Sequence, residues 1–392
     1  MGLVAAIVGL ALLVLIHEAG HFFAARAVGM TPRKFYLGFG PPIVKKVRGN
    51  VEYGIGIFPL GGYVKIPGMN RPSPGDLATM LQPAVRDQHR AELARLDSAL
   101  RRDDEASARE ILHELRPSFG RSRFAQELEW SLEPDAYWRQ ATWRRLVAIG
   151  AGPAVNLVFA LILFTVLFLV ATTRDTNEVG SVLKGSPAAA AGLHAGDRVL
   201  VVAGRAVKPK DVAPAIRATH GRPFRLVVAR KGRRVTVGPV RAKLSDGAYR
   251  IGIAIDERTG AGESLPAAVK DSASLVWSVT TSTVGGLAHL ARGRDTNQVS
   301  SSVGIVRTSA QAWRQGLRDF LFVLGLISLA LGLLNLIPVL PLDGGHILIA
   351  LIEKLRGRTF PQAVYVRYSA IGMSLFAVLM YLGLRNDLFG SG

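Results

Sequence analysis

The sequence predicts a polytopic α-helical membrane protein with four transmembrane helices, a membrane-associated β-hairpin and an inserted α/β domain. Hydrophobic residues make up 49% of its 392 residues, and the mean hydropathy of +0.26 is high for a soluble protein. Long apolar runs alternate with basic loops, which is the pattern of a chain that crosses a bilayer repeatedly. A polar, charged stretch and a glycine-punctuated stretch separate these runs, and the length allows two or three domains.

The charge and the cysteine content exclude several classes of protein. The formal net charge is +19, but the lysines and arginines are spread over loops beside the apolar runs, without a nucleic-acid-binding signature. Attraction to an anionic membrane surface explains this charge better. The chain has no cysteine, so it has no disulfides and no thiolate metal site. Any metal must therefore be held by histidine and carboxylate groups.

The first apolar run covers Leu3–Ile16 and resumes over Phe22–Val28. Together the two parts make a hydrophobic helix of roughly 25 residues, which is long enough to span a bilayer. The N-terminus lacks a basic region, and the run ends in His-Glu instead of a small-residue cleavage site. We therefore expect a retained span and not a removed signal peptide.

A His-Glu-x-x-His motif interrupts this span at His17, Glu18 and His21. On a helix the two imidazoles lie one turn apart on one face, where both can bind one zinc ion. The glutamate beside them can take a proton from a zinc-bound water, which makes Glu18 the candidate catalytic base. A chance match, or a structural pair of core histidines, is the alternative. Ionisable groups inside a membrane span are costly, and this weakens that alternative.

The next stretch begins with a loop that should face the cytoplasm because it is rich in basic residues: Arg26, Arg33, Lys34, Lys45, Lys46 and Arg48. Glu52–Ile66 then alternates β-forming residues with glycines around Pro59-Leu60-Gly61-Gly62, which predicts a hairpin turning at these four residues. Such a hairpin could enter the membrane where protein covers its backbone. Its edge could pair with an unwound substrate, placing Gly61 and Gly62 at the substrate. An ordinary surface hairpin is the alternative.

Residues 71–137 are polar and charged, and the helical spacing over Ala91–Leu115 predicts a soluble helical insert without chemistry of its own. The second span is expected over Leu146–Ala171, behind an interfacial anchor of tryptophans and arginines. Its Gly150-Ala151-Gly152 stretch permits close helix contact. We expect Asn156 to face the bundle interior and to pack against the first helix, in preference to acting as a ligand.

Glu178–Ile255 reads as a soluble module with strands at Arg198–Val202 and Phe224–Val228 and a short helix at Val212–Thr219. The run from Gly185 to Val199, GSPAAAAGLHAGDRV, closely resembles the corresponding stretch of PDZ domains. That resemblance implies a groove that binds an extended peptide or a C-terminus as an added strand. A steric lid without a specific ligand is the alternative.

The remaining chain is expected to hold an amphipathic segment on the membrane over Leu265–Ala291, a third span over Phe320–Leu340 and a fourth over Tyr365–Leu384. The loop between the last two spans is basic, so it shares the cytoplasmic side with the loop after span one. The inserted module and both termini then lie outside. The expected segments are 1–70, 71–137, 138–175, 176–258, 259–317 and 318–392.

A catalytic zinc needs a third protein ligand. Asp343 follows the third span on the side that His17 and His21 approach, and no other acid borders a span on that face. His346 is a rival ligand, but two glycines separate it from Asp343 and we rank it lower. Pro338 and Pro341 interrupt the helix there and can open a path for water.

Five stretches resemble the bacterial site-2 protease family in order: His17–His21, Gly38–Pro41, Pro59–Tyr63, Pro187–Asp197 and Asn335–Gly345. The resemblance covers the chain except the Arg71–Tyr137 insert. It implies zinc bound by His17, His21 and Asp343, Glu18 as general base, and Asn335 and Pro338 as substrate-binding residues. Two features depart from the pattern: Leu340 stands where many members have a second proline, and only one PDZ-like module is present.

The family cuts transmembrane helices, typically of anti-sigma factors that another protease has already trimmed outside the membrane, and its PDZ region excludes untrimmed substrates. The resemblance therefore implies a multi-pass protease of the bacterial cell membrane with its active site near the cytoplasmic face. Its partners would be a transmembrane substrate, a peptide or C-terminus at the PDZ groove, and the lipid bilayer. One alternative is a non-catalytic receptor or transporter with a PDZ partner-binding module, and another is an inactive protease that serves as a scaffold.

Overall fold

A computed structural model describes residues 1–72, 83–102, 104–119, 123–245, 248–292 and 301–389. These residues form two compact units. The first joins residues 1–164 to residues 270–392, and the second covers residues 165–269. The second unit is therefore inserted into the sequence of the first.

Four helices among the described residues are long and apolar enough to cross a membrane. They are α1 (Gly2–Ala27), α6 (Thr142–Val170), α11 (Leu317–Asn335) and α13 (Gln362–Phe389). The prediction of four such helices is confirmed. The boundaries differ from the expected ones by up to about five residues, and the difference matters most at the third span, which was expected to reach Leu340 although α11 ends at Asn335. A separate helix, α12 (Asp343–Arg356), follows a seven-residue turn that contains Pro338 and Pro341.

Small residues on α1 let it pack closely against its neighbours. A Cβ built on Gly20 would lie 2.8 Å from the Ala151 backbone oxygen of α6, and one on Gly9 would lie 2.8 Å from the Leu324 side chain of α11. Both glycines belong to a buried stripe on α1: Ala6, Gly9, Leu13, His17, Gly20 and His21. The stripe that packs the helix therefore also carries both histidines of the motif.

The stretch after α1 forms two long strands, β1 (Lys34–Arg48) and β2 (Val51–Lys65), which pair antiparallel. Leu37 is in register with both Ile55 and Gly62, so the two halves of β2 lie on either side of the start of β1. The chain consequently doubles back between Gly56 and Gly62, where the turn was expected. Two expectations are wrong: Lys34–Arg48 is a strand and not a loop, and the two halves of β2 do not pair directly. Alternating β-formers such as Phe35, Leu37 and Phe39 explain the extra strand.

The polar insert folds around an apolar core of its own. Its helices are α2 (Pro83–Gln88), α3 (Arg90–Arg101), α4 (Glu105–Leu115) and α5 (Arg123–Ser131). The core side chains include Leu96, Leu112 and Leu132. The single helical stretch expected over Ala91–Leu115 is two helices, because Asp104 caps the start of α4 by accepting a hydrogen bond from the Ser107 backbone N–H at 3.1 Å.

The second unit is an α/β module. Its six-stranded sheet has the order β10–β3–β4–β6–β7, with β5 paired to β4. The strands are β3 (Ala171–Val182), β4 (Arg198–Val202), β5 (Arg205–Ala206), β6 (Phe224–Arg230), β7 (Arg233–Val240) and β10 (Ile253–Ala261), and a small ribbon joins β8 (Lys243–Ser245) to β9 (Ala248–Arg250). The helices are α7 (Pro187–Ala190) and α8 (Val212–Arg217).

Two helices connect the module to the third span. They are α9 (Leu265–Ala291), which is helical over the range predicted for the amphipathic segment, and α10 (Ser302–Gln315). The start of α10 is held by α13, because an Asp387 carboxylate oxygen accepts hydrogen bonds from the backbone N–H groups of Ser301 at 2.7 Å and Gly304 at 3.1 Å. A Cβ built on Gly2 of α1 would lie 2.8 Å from the Ala310 backbone oxygen, so α10 also contacts the first span closely.

Candidate metal centre

The His-Glu-x-x-His motif lies on an unbroken part of α1. Its helical spacing places the His17 and His21 rings one above the other, with their centroids 4.8 Å apart and their planes at 85°. Both side chains are buried, and Glu18 beside them is partly buried. The local sequence alone therefore brings two imidazoles and one carboxyl group together inside an apolar helix.

Asp343 reaches these histidines because the chain turns tightly between α11 and α12. A Cβ built on Gly344 would lie 2.3 Å from the Leu336 backbone oxygen, and one on Gly345 would lie 2.5 Å from the Leu340 backbone nitrogen. Since no real Cβ fits at such distances, the two glycines let the first turn of α12 pack onto the end of α11. That packing places Asp343, the first residue of α12, opposite α1.

Three donor atoms then form a nearly equilateral triangle. His17 Nε2 and His21 Nε2 are 3.2 Å apart, and each lies 3.2 Å from Asp343 Oδ2. Zinc with nitrogen and oxygen ligands at 2.0–2.1 Å and tetrahedral angles requires ligand atoms about 3.3 Å apart. The triangle therefore has the size that one zinc ion needs, and these residues are the group of potential metal ligands found in the described part of the chain.

Helix α6 fixes the ring of His21. The backbone oxygen of Ala148 lies 3.0 Å from His21 Nδ1, so Nδ1–H donates to it and Nε2 keeps its lone pair for a metal. On the same helix, a Cβ built on Gly152 would lie only 2.2 Å from His21 Nε2. Glycine is thus required at 152 by the ring that it contacts.

The end of β2 covers the site beside Glu18. A Cβ built on Gly62 would lie 3.0 Å from Glu18 Cγ and 2.8 Å from the Tyr36 backbone oxygen. The Val64 backbone also hydrogen-bonds to the Glu18 carboxyl group. The last four residues of β2 therefore run directly past the glutamate, with the start of β1 on one side of them.

The other predicted site residues, Gly61, Asn335 and Pro338, make contacts outside the donor triangle. Gly61 adopts a positive φ of 96° beside the Phe39 ring. Asn335 is the last residue of α11, and its Nδ2 donates to the Leu331 backbone oxygen at 3.0 Å. Pro338 is exposed in the following turn, and its backbone oxygen accepts a hydrogen bond from the Tyr368 hydroxyl of α13.

His346, the rival ligand, is not a member of the three-atom group. Its ring lies 6.5 Å from that of Tyr365 instead. Sequence reasoning missed the Ala148 carbonyl and the particular role of Gly152. The small residues at 150–152 indicated a close helix contact, but nothing in the sequence indicates which residue of another helix fills the space.

Comparison with known proteins now identifies the family. The family model for peptidase family M50 matches residues 5–380, which is nearly the whole chain. The chain belongs to peptidase family M50. This membership confirms the resemblance to site-2 proteases and the prediction of a metallopeptidase that uses zinc. Together with the four apolar helices, it also confirms a membrane protein.

Curated relatives from three bacteria match over almost their full length. The "Probable protease eep" of Enterococcus faecalis is 27% identical, with 96% of each chain covered. The "Zinc metalloprotease RasP" of Bacillus licheniformis and the "Putative zinc metalloprotease LL2128" of Lactococcus lactis are each 26% identical, again with 96% of both chains covered.

Proposed function

We propose that this M50 peptidase is an intramembrane zinc metalloprotease that hydrolyses peptide bonds within transmembrane helices. The observation that carries the proposal is the triangle of His17, His21 and Asp343 donor atoms, with edges of 3.2 Å. Two of its corners and Glu18 lie on the apolar helix α1, and the third lies at the start of α12. A receptor or transporter would have no reason to hold three ligand atoms at zinc spacing beside a carboxyl group.

In this proposal His17, His21 and Asp343 hold the ion. When bound, zinc supplies a Lewis acid that makes water a nucleophile near neutral pH. Glu18 accepts the proton of the attacking water and passes it to the departing amine. The Ala148 carbonyl keeps His21 in the neutral tautomer that a metal ligand must adopt.

The substrate must unwind before it can be cut, because the amides of a membrane helix are paired and shielded. Gly62–Lys65 of β2 runs past Glu18 and pairs with the start of β1. An extended substrate added along the other side would present its backbone to the metal. Gly61 and Gly62 let this strand lie close to the Phe39 ring and to Glu18, where a side chain would clash. We assign both glycines, together with Asn335 and Pro338, to the substrate site.

The second unit supports the proposed PDZ role. It contains a cleft of about 1170 Å³ between α8 and the chain from Ile251 to Ile255, and the Gly185–Pro187 loop lines it as well. A helix facing an exposed strand edge is the arrangement that binds a peptide as an added strand. We assign this cleft to a peptide or C-terminus, the module to residues 176–258, and the substrates to pre-trimmed proteins of the anti-sigma-factor type. We likewise propose residues 1–70, 71–137, 138–175, 259–317 and 318–392 as the other segments of the chain.

The basic residues that follow the first and third spans favour a cytoplasmic position for the metal centre. The inserted module and both termini then lie on the outer side of a bacterial cell membrane. Labelling of single cysteines introduced at Lys46 and Gly204 of the otherwise cysteine-free chain, in intact cells, tests this orientation. Outside-accessible Lys46→Cys would overturn it.

The central test uses detergent-purified protein and a membrane-embedded reporter. Glu18→Gln should keep one zinc per chain and reduce cleavage by about 10²–10⁴-fold, because only proton transfer is lost. Asp343→Ala should lose zinc as well as cleavage. His346→Ala, in the same turn of α12, is the matched control and should keep its zinc. Undiminished cleavage by Glu18→Gln, or wild-type protein without stoichiometric zinc, would reject the proposal.

A further inference from the structure

Among the described residues several buried polar atoms have no hydrogen-bond partner, and two of the side chains concerned lie near the metal centre on helices that pack together. His17 is 7% exposed, and its Nδ1 has no partner in the described part of the chain. Asn156 of α6 is fully buried, and neither its Oδ1 nor its Nδ2 has a partner there. Buried polar side chains are nearly always hydrogen-bonded, so two such orphans in one region call for a common explanation.

The helix geometry places these groups at nearly the same depth. Gly20 of α1 contacts Ala151 and Gly152 of α6. Further along, Leu13 belongs to an apolar cluster that also includes Phe159 of α6, so the two helices run antiparallel. His17 is three residues before Gly20, and Asn156 is four residues after Gly152. At 1.5 Å per residue these steps are about 4.5 and 6 Å, so the two side chains differ in depth by roughly 1.5 Å.

Both residues also lie within about one turn of the residues that make the helix contact. His17 lies on the buried stripe of α1 together with Leu13 and Gly20. On α6, Asn156 follows Gly152 by one turn and is fully buried. The Ser328 hydroxyl of α11 does not satisfy the amide, because it donates to the Asn156 backbone oxygen at 3.0 Å.

The two histidines differ in the hydrogen bonding of their Nδ1 atoms. His21 donates its Nδ1–H to the Ala148 backbone oxygen, which fixes its ring for metal binding. Metal-ligating histidines almost always donate their second ring N–H to such a partner, and losing it typically weakens metal binding 10–100-fold. His17 offers Nε2 to the same triangle, yet no residue that the structure describes lies within hydrogen-bonding distance of its Nδ1.

We infer that Asn156 is the positioning residue for His17. Its side-chain oxygen accepts, through one ordered water, the hydrogen bond that His17 Nδ1–H donates. A water between these two groups would accept one hydrogen bond and donate another, which supplies the polar partners that an internal water needs. The bridge holds His17 in the tautomer with a free Nε2 lone pair and fixes the ring toward Asp343. This inference rests on the proposed zinc site.

The test compares variants at Asn156 by zinc affinity, measured by chelator competition on purified full-length protein. Asn156→Leu keeps the approximate volume but removes both polar groups, and we expect zinc to bind about 10–100-fold more weakly. Asn156→Asp keeps an acceptor oxygen, and we expect it to retain most of the wild-type affinity. Ser328→Ala is the matched control: it removes a hydrogen bond of α6 at the same residue, and its zinc affinity should be unchanged.

Cobalt substitution gives a second readout that is independent of activity. The visible spectrum of bound Co²⁺ reports the ligand geometry, so it should change in Asn156→Leu and remain wild-type in Ser328→Ala. Should Asn156→Leu fail to fold, Asn156→Ala serves in its place. Wild-type zinc affinity and cobalt spectrum in the apolar variant would overturn the inference, as would equal loss in Asn156→Asp and Asn156→Leu. Absence of zinc from the wild-type protein would instead reject the proposed function.

Discussion

Gly152 is the residue whose size matters most to the metal centre. A Cβ there would lie 2.2 Å from His21 Nε2, whereas a Cβ on Gly150, two residues away, would meet nothing within 4 Å. Since the ring is held by the Ala148 carbonyl and by Asp343, it cannot move aside without leaving the metal site.

We therefore expect Gly152→Ala to weaken zinc binding at least about tenfold, by displacing a ligand ring. Gly150→Ala is the matched control, because it adds the same methyl group to the same helix in open space. Zinc stoichiometry and chelator competition on both purified variants check this. Full zinc affinity in Gly152→Ala would contradict the prediction, because it would show that α1 and α6 can move apart without disturbing the metal site.

In the inserted module, Asp197 is the single residue whose contacts lead to a stability prediction. Its carboxylate is buried and accepts hydrogen bonds from Arg230 Nε and Nη2, each at 2.7 Å, and from the His194 backbone N–H at 2.9 Å. The Arg230 guanidinium is the main reason why the pKa of Asp197 lies below its ordinary value of 3.8. A lowered folded-state pKa stabilises the module above the ordinary carboxyl range, and this contribution is lost as the pH falls through the lowered pKa.

Asp197→Asn should thus destabilise the module by roughly 1.5–3 kcal/mol at neutral pH, the usual contribution of a hydrogen bond to a charged group. The difference from wild type should shrink below about pH 4. Hydrogen exchange of the β4 and β6 amides across this pH range measures it. A difference that stays constant with pH would show that the charge of Asp197 contributes nothing.

The residues of the candidate centre differ in how far the sequence alone could identify them. His17, Glu18 and His21 form a local motif, so helical geometry places them together without knowledge of the fold. Asp343 is over 300 residues away, and its assignment depended on which side of the membrane each span ends. Ala148 and Gly152 act through a backbone oxygen and an absent side chain, and neither has a residue-type signature.

At the scale of elements, the hairpin shows where sequence periodicity is insufficient. The reversal at Pro59–Gly62 was predictable because proline and glycine mark turns. The pairing was not, because the start of β1 separates the two halves of β2. Lysines and glycines interleaved with the β-formers of Lys34–Arg48 made a strand read as a basic loop.

An ion pair joins the element that carries Asp343 to the start of α6. Arg145 Nη2 lies 2.6 Å from Glu353 Oε2 of α12, and both side chains are buried. The other Glu353 oxygen accepts hydrogen bonds from the Phe360 backbone N–H at 2.7 Å and the Tyr365 hydroxyl at 3.1 Å. Glu353 therefore connects α6, α12 and the start of α13.

Removing one partner of a buried ion pair leaves an uncompensated charge, so we expect Glu353→Gln to lower the free energy of unfolding by about 3–5 kcal/mol. The double variant Arg145→Met, Glu353→Met removes both charges and should lose less, because no buried charge is left alone. Thermal unfolding in detergent compares the variants, and zinc content reports whether α12 still presents Asp343. A double variant less stable than Glu353→Gln would contradict this.

At the scale of the whole molecule, the alternation of apolar spans with polar segments predicted the architecture better than any single element. Length and hydropathy were sufficient for four spans, since the bilayer sets the number of residues. The two-unit division follows from the same alternation, because residues 165–269 carry the alternating pattern of a soluble sheet. The pairing of β3 with β10, which brings the two ends of that unit together, was not predictable, since the paired residues are more than 70 positions apart in the sequence.

The pairing of β3 with β10 means that the inserted unit can be removed at one place in the structure. Thr172 pairs with Gly260 and Ala171 with Ala261, so the chain enters and leaves the unit through adjacent residues of one antiparallel ladder. Replacing residues 173–259 by a short Gly-Ser turn should leave the donor triangle intact, because all three ligands belong to the other unit. We expect the excised protein to bind one zinc per chain.

The cleavage pattern of this excised protein tests the proposed role of the module. If the module excludes untrimmed substrates, its removal should let the enzyme cut a full-length membrane reporter that the wild type leaves intact, while a pre-trimmed reporter is cut by both. Cleavage is followed by gel mobility of the reporter in cells. The excised chain with Glu18→Gln is the control, since it should cut neither reporter if the new cleavage comes from this site. An excised enzyme that still discriminates between the two reporters would place the size filter within the membrane helices.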